Sequence, residues 1–264
     1  MTATSLTIAD LFLASSLVLV TGALSALHGL GIEKRLAIAA ARMVVQLALI
    51  GVVLKLVFAQ ASPLWTALLA FVMVAIAAYE AGRRPSNRIK GHGALLLSGV
   101  TLLATGLLTT AYVTAVVLTT DHWFTPQVFL PILGMILGNA LTAVALVLES
   151  LTQAARNERA AIEARLALGA TAQLAFQSIV RRTLTTALLP TLNGMAVAGV
   201  ISLPGMMTGQ ILAGADPAEA AKYQIMIMFA IAGATALAAV AAAYGGVRLL
   251  TDDRTRLRLD RLAA

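Results

Sequence analysis

Cysteine is absent from the chain, which excludes disulfide staples and thiolate metal ligands and leaves the redox compartment open. Charge is scarce too. Only 12% of the 264 residues are Asp, Glu, Lys or Arg, against 59% apolar, a balance that points away from a soluble domain and toward a membrane-embedded bundle. The three histidines, His28, His92 and His122, lie far apart without ligand spacing, so they define no metal site. No Asp or Glu falls in the middle of an apolar run. A proton- or sodium-coupled carrier is thereby deprived of its usual intramembrane acids. Also missing are a nucleophile-elbow serine, a His-Glu-x-x-His zinc helix and a Gly-x-x-x-x-Gly-Lys-[Ser/Thr] phosphate loop, so the chain reads as no enzyme and cannot bind ATP by that route. The formal charge of +7 does not indicate nucleic acid, because the basic residues are spread through the gaps between apolar runs.

What is present is a series of apolar runs of about 20 residues, the length that crosses a bilayer. Seven are counted, at about 11–32, 37–58, 63–79, 94–118, 126–148, 192–212 and 223–247. No Lys or Arg precedes the first, which therefore reads as a retained span and not as a cleaved signal peptide. Arg42 and Lys55 fall near the two ends of the second, where long side chains reach the interface. The expected fold is one all-α polytopic membrane domain over residues 1–264. The positive-inside rule orients it. The stretch from Arg83 to Lys90, the interval 149–190 and the tail 248–264 are rich in Arg and Lys, whereas the loops 119–123 and 214–219 carry acids and little base. The N-terminus is thus expected outside and the C-terminus in the cytoplasm.

The interval 149–190 is too polar to span and too patterned for a linker. Strong helix formers surround Ala161 and Ala164; Gly169 is placed to end that helix as its C′ residue, and Thr171 to cap a second one starting near Ala172. Leu166, Leu168, Leu174 and Phe176 would then project from the tip as an apolar knob ringed by arginine. Such a knob suits a partner protein. An amphipathic loop packed on its own bundle, or lying on anionic lipid, is the other reading.

Two related strings mark the membrane part. Gly134-Met135-x-x-Gly138-Asn139 recurs as Gly205-Met206-x-x-Gly209-Gln210, so each run carries small residues four apart beside a methionine and a carboxamide. Spacing of this kind lets helices approach closely in lipid. Pro131 and Pro204 would loosen the local backbone ladder, tolerated at membrane depth only against protein or a wet cavity. Close packing with no ligand accounts for these strings; lining of a substrate route at a subunit interface is the sharper account. Met135, Met206 and Met207, with Gln46, Asn139, Asn193 and Gln210, are its candidate lining, and the metal ligands are left unknown. Most methionines read as adaptable packing, since a thioether suits only soft ions such as Cu(I).

Glu163-Ala164 followed six residues on by Gly169, then Leu189-Pro190, resembles the coupling loop of ABC-transporter permeases, which seats in a groove of the ATPase subunit. Arg165 stands where that motif has a second alanine, and the distance to Leu-Pro is longer. The strings Pro131 to Ala140, Ser202 to Gly209, Ala213 to Pro217 and Lys222 to Met226 resemble the FetB family of permeases, the bacterial iron-export ABC system, which is similar to plant half-transporters linked to aluminium tolerance. The resemblance covers about residues 33–250. It implies a multi-pass protein of the bacterial inner membrane and a coupling role for Glu163, Ala164, Leu166, Leu168, Gly169, Thr171 and Phe176. It also implies a FetA-like ATPase partner that binds the ATP and Mg, a second copy of the chain, and export of iron or a similar metal species. No cofactor is expected in the chain itself. An importer of a small solute and a non-transporting membrane scaffold remain the alternatives.

Overall fold

The computed structural model describes residues 7–60, 62–87, 89–118, 124–252 and 254–263. The expected outer loop 119–123, with His122, lies outside the described residues, as does Arg88. Among the described residues there are nine α-helices and no strands: α1 (Ile8–Leu27), α2 (Glu33–Gln60), α3 (Pro63–Arg83), α4 (Gly93–Tyr112), α5 (Pro126–Asn157), α6 (Arg159–Ala167), α7 (Ala172–Val197), α8 (Gly205–Leu212) and α9 (Pro217–Leu250). A π-helical turn, Val113–Val117, extends α4. Local chemistry starts several of these helices. Pro63, Pro126 and Pro217 occupy first-turn positions, where a missing N–H costs nothing. Asp216 caps α9 by accepting from Ala218 N at 2.9 Å and Glu219 N at 3.1 Å.

Helix α5 is the centre of the bundle, packed on α3, α4, α7 and α9. Leu133, Ile136, Ala140, Val144, Val147 and Leu151 recur every three to four residues and are fully buried. Facing it, α9 offers Ala238, Ala239, Ala242, Ala243 and Gly246, small side chains that let the two helices close together. A Cβ on Gly246 would stand 2.5 Å from Leu151 Cδ2, and one on Gly245 would run into Leu97. By contrast α1 and the first half of α2 are almost wholly exposed. Ser25, buried, ties them by donating to Glu33 Oε1 at 2.7 Å, and Arg42 of α2 pairs with Glu80 of α3.

Among the described residues six helices are long and apolar enough to cross a membrane: α1 to α5, with α4 continued by its π turn, and α9. The expected span at 192–212 is not one helix, which corrects the count of seven continuous spans. Helix α7 starts in the polar interval and runs to Val197; the chain then turns through 198–204 before the eight-residue α8. Gly199 takes φ +87 there, its N–H donates to Ser202 O at 2.8 Å, and Pro204 supplies no N–H to continue a ladder. Hydropathy over this stretch is high enough for a span. The break is a backbone matter. Helix α8 packs along α9 beyond the end of α7, so α7 and α8 in series reach toward the N-terminal end of α9. Pro131, expected to loosen α5, sits within an unbroken helix.

The basic end of the bundle is built as one piece. Ser86 N donates to Glu149 Oε2 at 2.6 Å and Asn87 Nδ2 to Gln153 Oε1 at 2.6 Å, which docks the α3–α4 loop on the extension of α5. The tail returns alongside. Ile89 and Leu262 form an antiparallel bridge, Lys90 N donates to Arg261 O at 2.6 Å, and Arg156 donates to Ala263 O. Arg261 Nη1 also donates to Leu249 O at 2.8 Å and Thr251 O at 3.2 Å, satisfying carbonyls that the end of α9 leaves open.

Candidate functional site

Helices α6 and α7 form a hairpin at the basic end, and its turn is specified by backbone chemistry. Gly169 takes φ +89; its N–H donates to Leu166 O at 3.0 Å, and Ala170 N–H donates to Arg165 O at 3.1 Å. That pair of bonds is a Schellman motif, with the glycine at C′. Thr171 then caps α7, its hydroxyl accepting from Leu174 N at 3.3 Å. Arg165, which departs from the resembled motif, staples the two arms. Its Nη1 donates to Ala175 O at 2.9 Å and Ser178 Oγ at 3.4 Å, across the turn. Arg159 pairs with Glu163 at 2.8 Å, and Arg182 pairs with Glu158 at the base.

The residues expected at the tip separate into two sets. Leu168 and Leu174 are 88% and 59% exposed, with Ala164 and Gly169 beside them at the surface. Phe176 is fully buried, with Ile162 and Ala175, and Leu166 is half-buried against the same core. Phe176 therefore does not project. It roots the hairpin in the bundle, because the buried positions of α7 recur at 175, 176, 179, 180, 183 and 187 and Phe176 falls on that stripe. A groove of about 460 Å³ runs beside the hairpin, lined by Glu163, Leu166 and Ala167 of α6 and by Arg254, Arg256 and Leu257 of the tail.

The candidate route residues are only partly brought together. Met135 and Met206 pack on one small cluster built by Val113, Ile132, Ile136, Ile227, Ile231 and Ala234, where α5, α8 and α9 meet. Met207 is half-buried. Gln46, Asn139 and Asn193 are exposed on the protomer surface, and Asn139 Nδ2 donates to Met135 O at 2.9 Å in its own helix. The Gln210 amide oxygen is buried without a partner. So is that of Gln224, which is not among the carboxamides expected to line the route and lies in sequence at the start of the run 223–247. Helix α9 begins at Pro217, which puts Gln224 two turns inside it; the early helix start signalled by Asp216-Pro217 could have shown this.

The paired small residues do not act alike. A Cβ on Gly134 would meet Met73 Cε at 3.3 Å, whereas nothing lies within 4 Å of Gly138, Gly205 or Gly209. Close approach inside the protomer falls instead on Gly106, Gly245 and Gly246. Among the described residues no three of His, Asp and Glu stand close enough to hold a metal ion.

Residues 8–250 match the family described as uncharacterised protein family UPF0014, and the chain belongs to it. It is thus a polytopic membrane protein of that family. It is 36% identical to the "UPF0014 membrane protein STAR2" of rice over 88% of this chain and 79% of that one. It is 34% identical to the "Probable iron export permease protein FetB" of Escherichia coli K12 over 96% of this chain and 95% of that one. It is 35% identical to the Arabidopsis "Protein ALUMINUM SENSITIVE 3" over 86% of this chain and 81% of that one. No solved structure matches it.

Proposed function

We propose that the chain is the permease subunit of an ABC transporter, a homodimer in the inner membrane that exports iron or a similar metal species with ATP hydrolysed by a separate subunit. The observation that carries this is the α6–α7 hairpin. Two leucines are held out from a rigid, stapled turn at the basic end, where the positive-inside rule favours cytoplasm. Exposed apolar anchors on a stiff support are what a partner groove takes up. The name of the Escherichia coli relative, a probable iron export permease, supports iron and the outward direction. A second copy is supported by Gln46 and Asn139, carboxamides that would otherwise face hydrocarbon from the middle of apolar runs, and by Asn193, exposed near the end of α7. ATP-driven closure of the ATPase pair would press on the hairpin and rock the helices joined to it.

The test replaces Leu168 and Leu174 by Asp. Both are surface residues, so membrane insertion and thermal stability should stay near wild type. Co-purification of the ATPase and its stimulation by the permease should fall together. Normal binding and stimulation in that variant would sink the hairpin as the coupling element.

A further inference from the structure

Helix α5 is buried on every side but one. The remaining face carries Met135, Asn139, Thr142, Leu146, Ser150 and Gln153, a step of three or four residues each time, which is the period of one helical face; Asn139 and Gln153 are exposed, the other four half-buried, with Met135 and Leu146 packed on the protomer's apolar clusters. Four of those six side chains are polar, on the helix whose other faces are the driest in the molecule. Helix α7 shows a matching face: Arg182, Thr186 and Asn193 are exposed, and steps of four and then seven residues keep them in line. The two faces meet. A cavity of about 260 Å³ is lined by Ser150, Gln153 and Asn157 of α5, by Arg182, Thr183 and Thr186 of α7, and by Glu158, which is paired with Arg182. From there the stripe climbs α5 by three turns to Asn139 and α7 by two turns to Asn193.

Asn139 and Thr142 each donate one bond within α5, to Met135 O and Gly138 O, and Gln153 bonds to Asn87 and Asn157. The polar capacity that remains, the Asn139 and Asn193 amide oxygens first, would forfeit hydrogen bonds with water if turned to hydrocarbon, a cost of about 1–3 kcal/mol apiece in protein measurements. A second copy closing over this face relieves that cost only if the space between stays wet or polar. The lining also limits what can pass. Beyond this mouth, whose Arg182 and Glu158 neutralise each other, no charged side chain occurs between Pro126 and Leu148 of α5 or between Thr183 and Val197 of α7, and no imidazole does either. A bare divalent cation entering such a stretch would find no counter-charge, and its desolvation would be opposed only by amide and hydroxyl dipoles.

We propose that the α5–α7 face is a water-lined route running from the basic end to mid-membrane, and that its cargo is a polar species of no net charge, recognised by hydrogen bonds. For a metal this means passage inside an oxygen-donor organic complex and not as an ion ligated by the protein. The inference rests on the permease reading for its cargo. The wet face itself is read without the ATPase.

Because the chain has no cysteine, single cysteines report cleanly. Thr142→Cys, Ser150→Cys and Asn193→Cys in the full-length protein in membrane vesicles should react with a charged, membrane-impermeant maleimide applied from the basic side. Leu96→Cys and Leu103→Cys, exposed apolar positions on α4, should not. Equal inertness of the stripe and the α4 positions would overturn the route. For the cargo, neutral iron(III) tris-maltolate should slow labelling of Asn193→Cys, while anaerobic iron(II) sulfate should leave it unchanged. Protection by iron(II) alone, or by neither compound, would overturn the charge-neutral cargo. If the permease reading fails instead, the Leu168 and Leu174 variant binds its ATPase normally while the cysteine pattern is unaffected.

Discussion

Glycine means different things at different places in this chain, and only the surroundings tell them apart. Gly246 faces Leu151 so closely that an added methyl must push the leucine aside, whereas Gly138 faces nothing within 4 Å in the protomer. Gly246→Val should therefore lower thermal stability in detergent by about 1–3 kcal/mol, the usual cost of overpacking. Gly138→Ala should leave the protomer's stability unchanged. Equal melting shifts for the two would show that Leu151 moves away freely. The small-x-x-x-small spacing was legible in sequence, but which spacing is used was not, because it depends on what a neighbouring helix presents. In the tail, the hydrogen bond and charge of Arg258 hold the Asp260 carboxyl down to about 2 from its ordinary 3.8. A lowered acid stabilises the folded tail above pH 3.8, and that contribution disappears as pH falls toward 2. The protection this carboxyl gives residues 254–263 against hydrogen exchange should thus be constant with pH near neutrality and fade only in strong acid. An Asp260→Asn variant should remove that acid-dependent component.

At the scale of the element, the α6–α7 hairpin was readable almost to the residue. Gly169 and Thr171 act through bonds to chain neighbours, which spacing alone encodes. Phe176 was misread because its role is tertiary, yet the stripe it belongs to was available in the sequence. The α7–α8 break was hidden by hydropathy, which counts the apolar side chains of 198–204 and is blind to a glycine at positive φ followed by a proline. Two variants probe the hairpin's stiffness. Gly169→Ala forces a Cβ into the left-handed region and should cost about 1 kcal/mol. Arg165→Ala removes two bonds across the turn, which should raise amide exchange at Ala175 and neighbours while α5 exchange holds steady. Unchanged exchange there would mean that Arg165 is not a staple.

Across the whole molecule, the basic end is tied together by contacts that no local pattern announces. The tail bonds to Lys90 Nζ through Asp260 O, 170 residues away in the chain, and to a final carbonyl of α9, 12 residues away. Deleting residues 256–264 should expose Ile89 and the end of α9, so trypsin should cut the 83–90 loop faster while the apolar helices stay protected. Cleavage at the wild-type rate would show that the loop is held by Glu149 and Gln153 alone.

Helix α5 enters the bundle at Pro126 and leaves it at Asn157 without interruption, then passes through the single residue Glu158 into α6. At 1.5 Å per residue its 32 residues make a strut of about 48 Å. Turning such a strut by about 10° about one end carries the other through roughly 8 Å, more than the width of a helix backbone. Pro131 costs it no continuity, so little of that displacement is lost to bending on the way. A small push at the α6 hinge is therefore amplified with distance, and the far end, near Pro126, is where the protein's largest movement is expected.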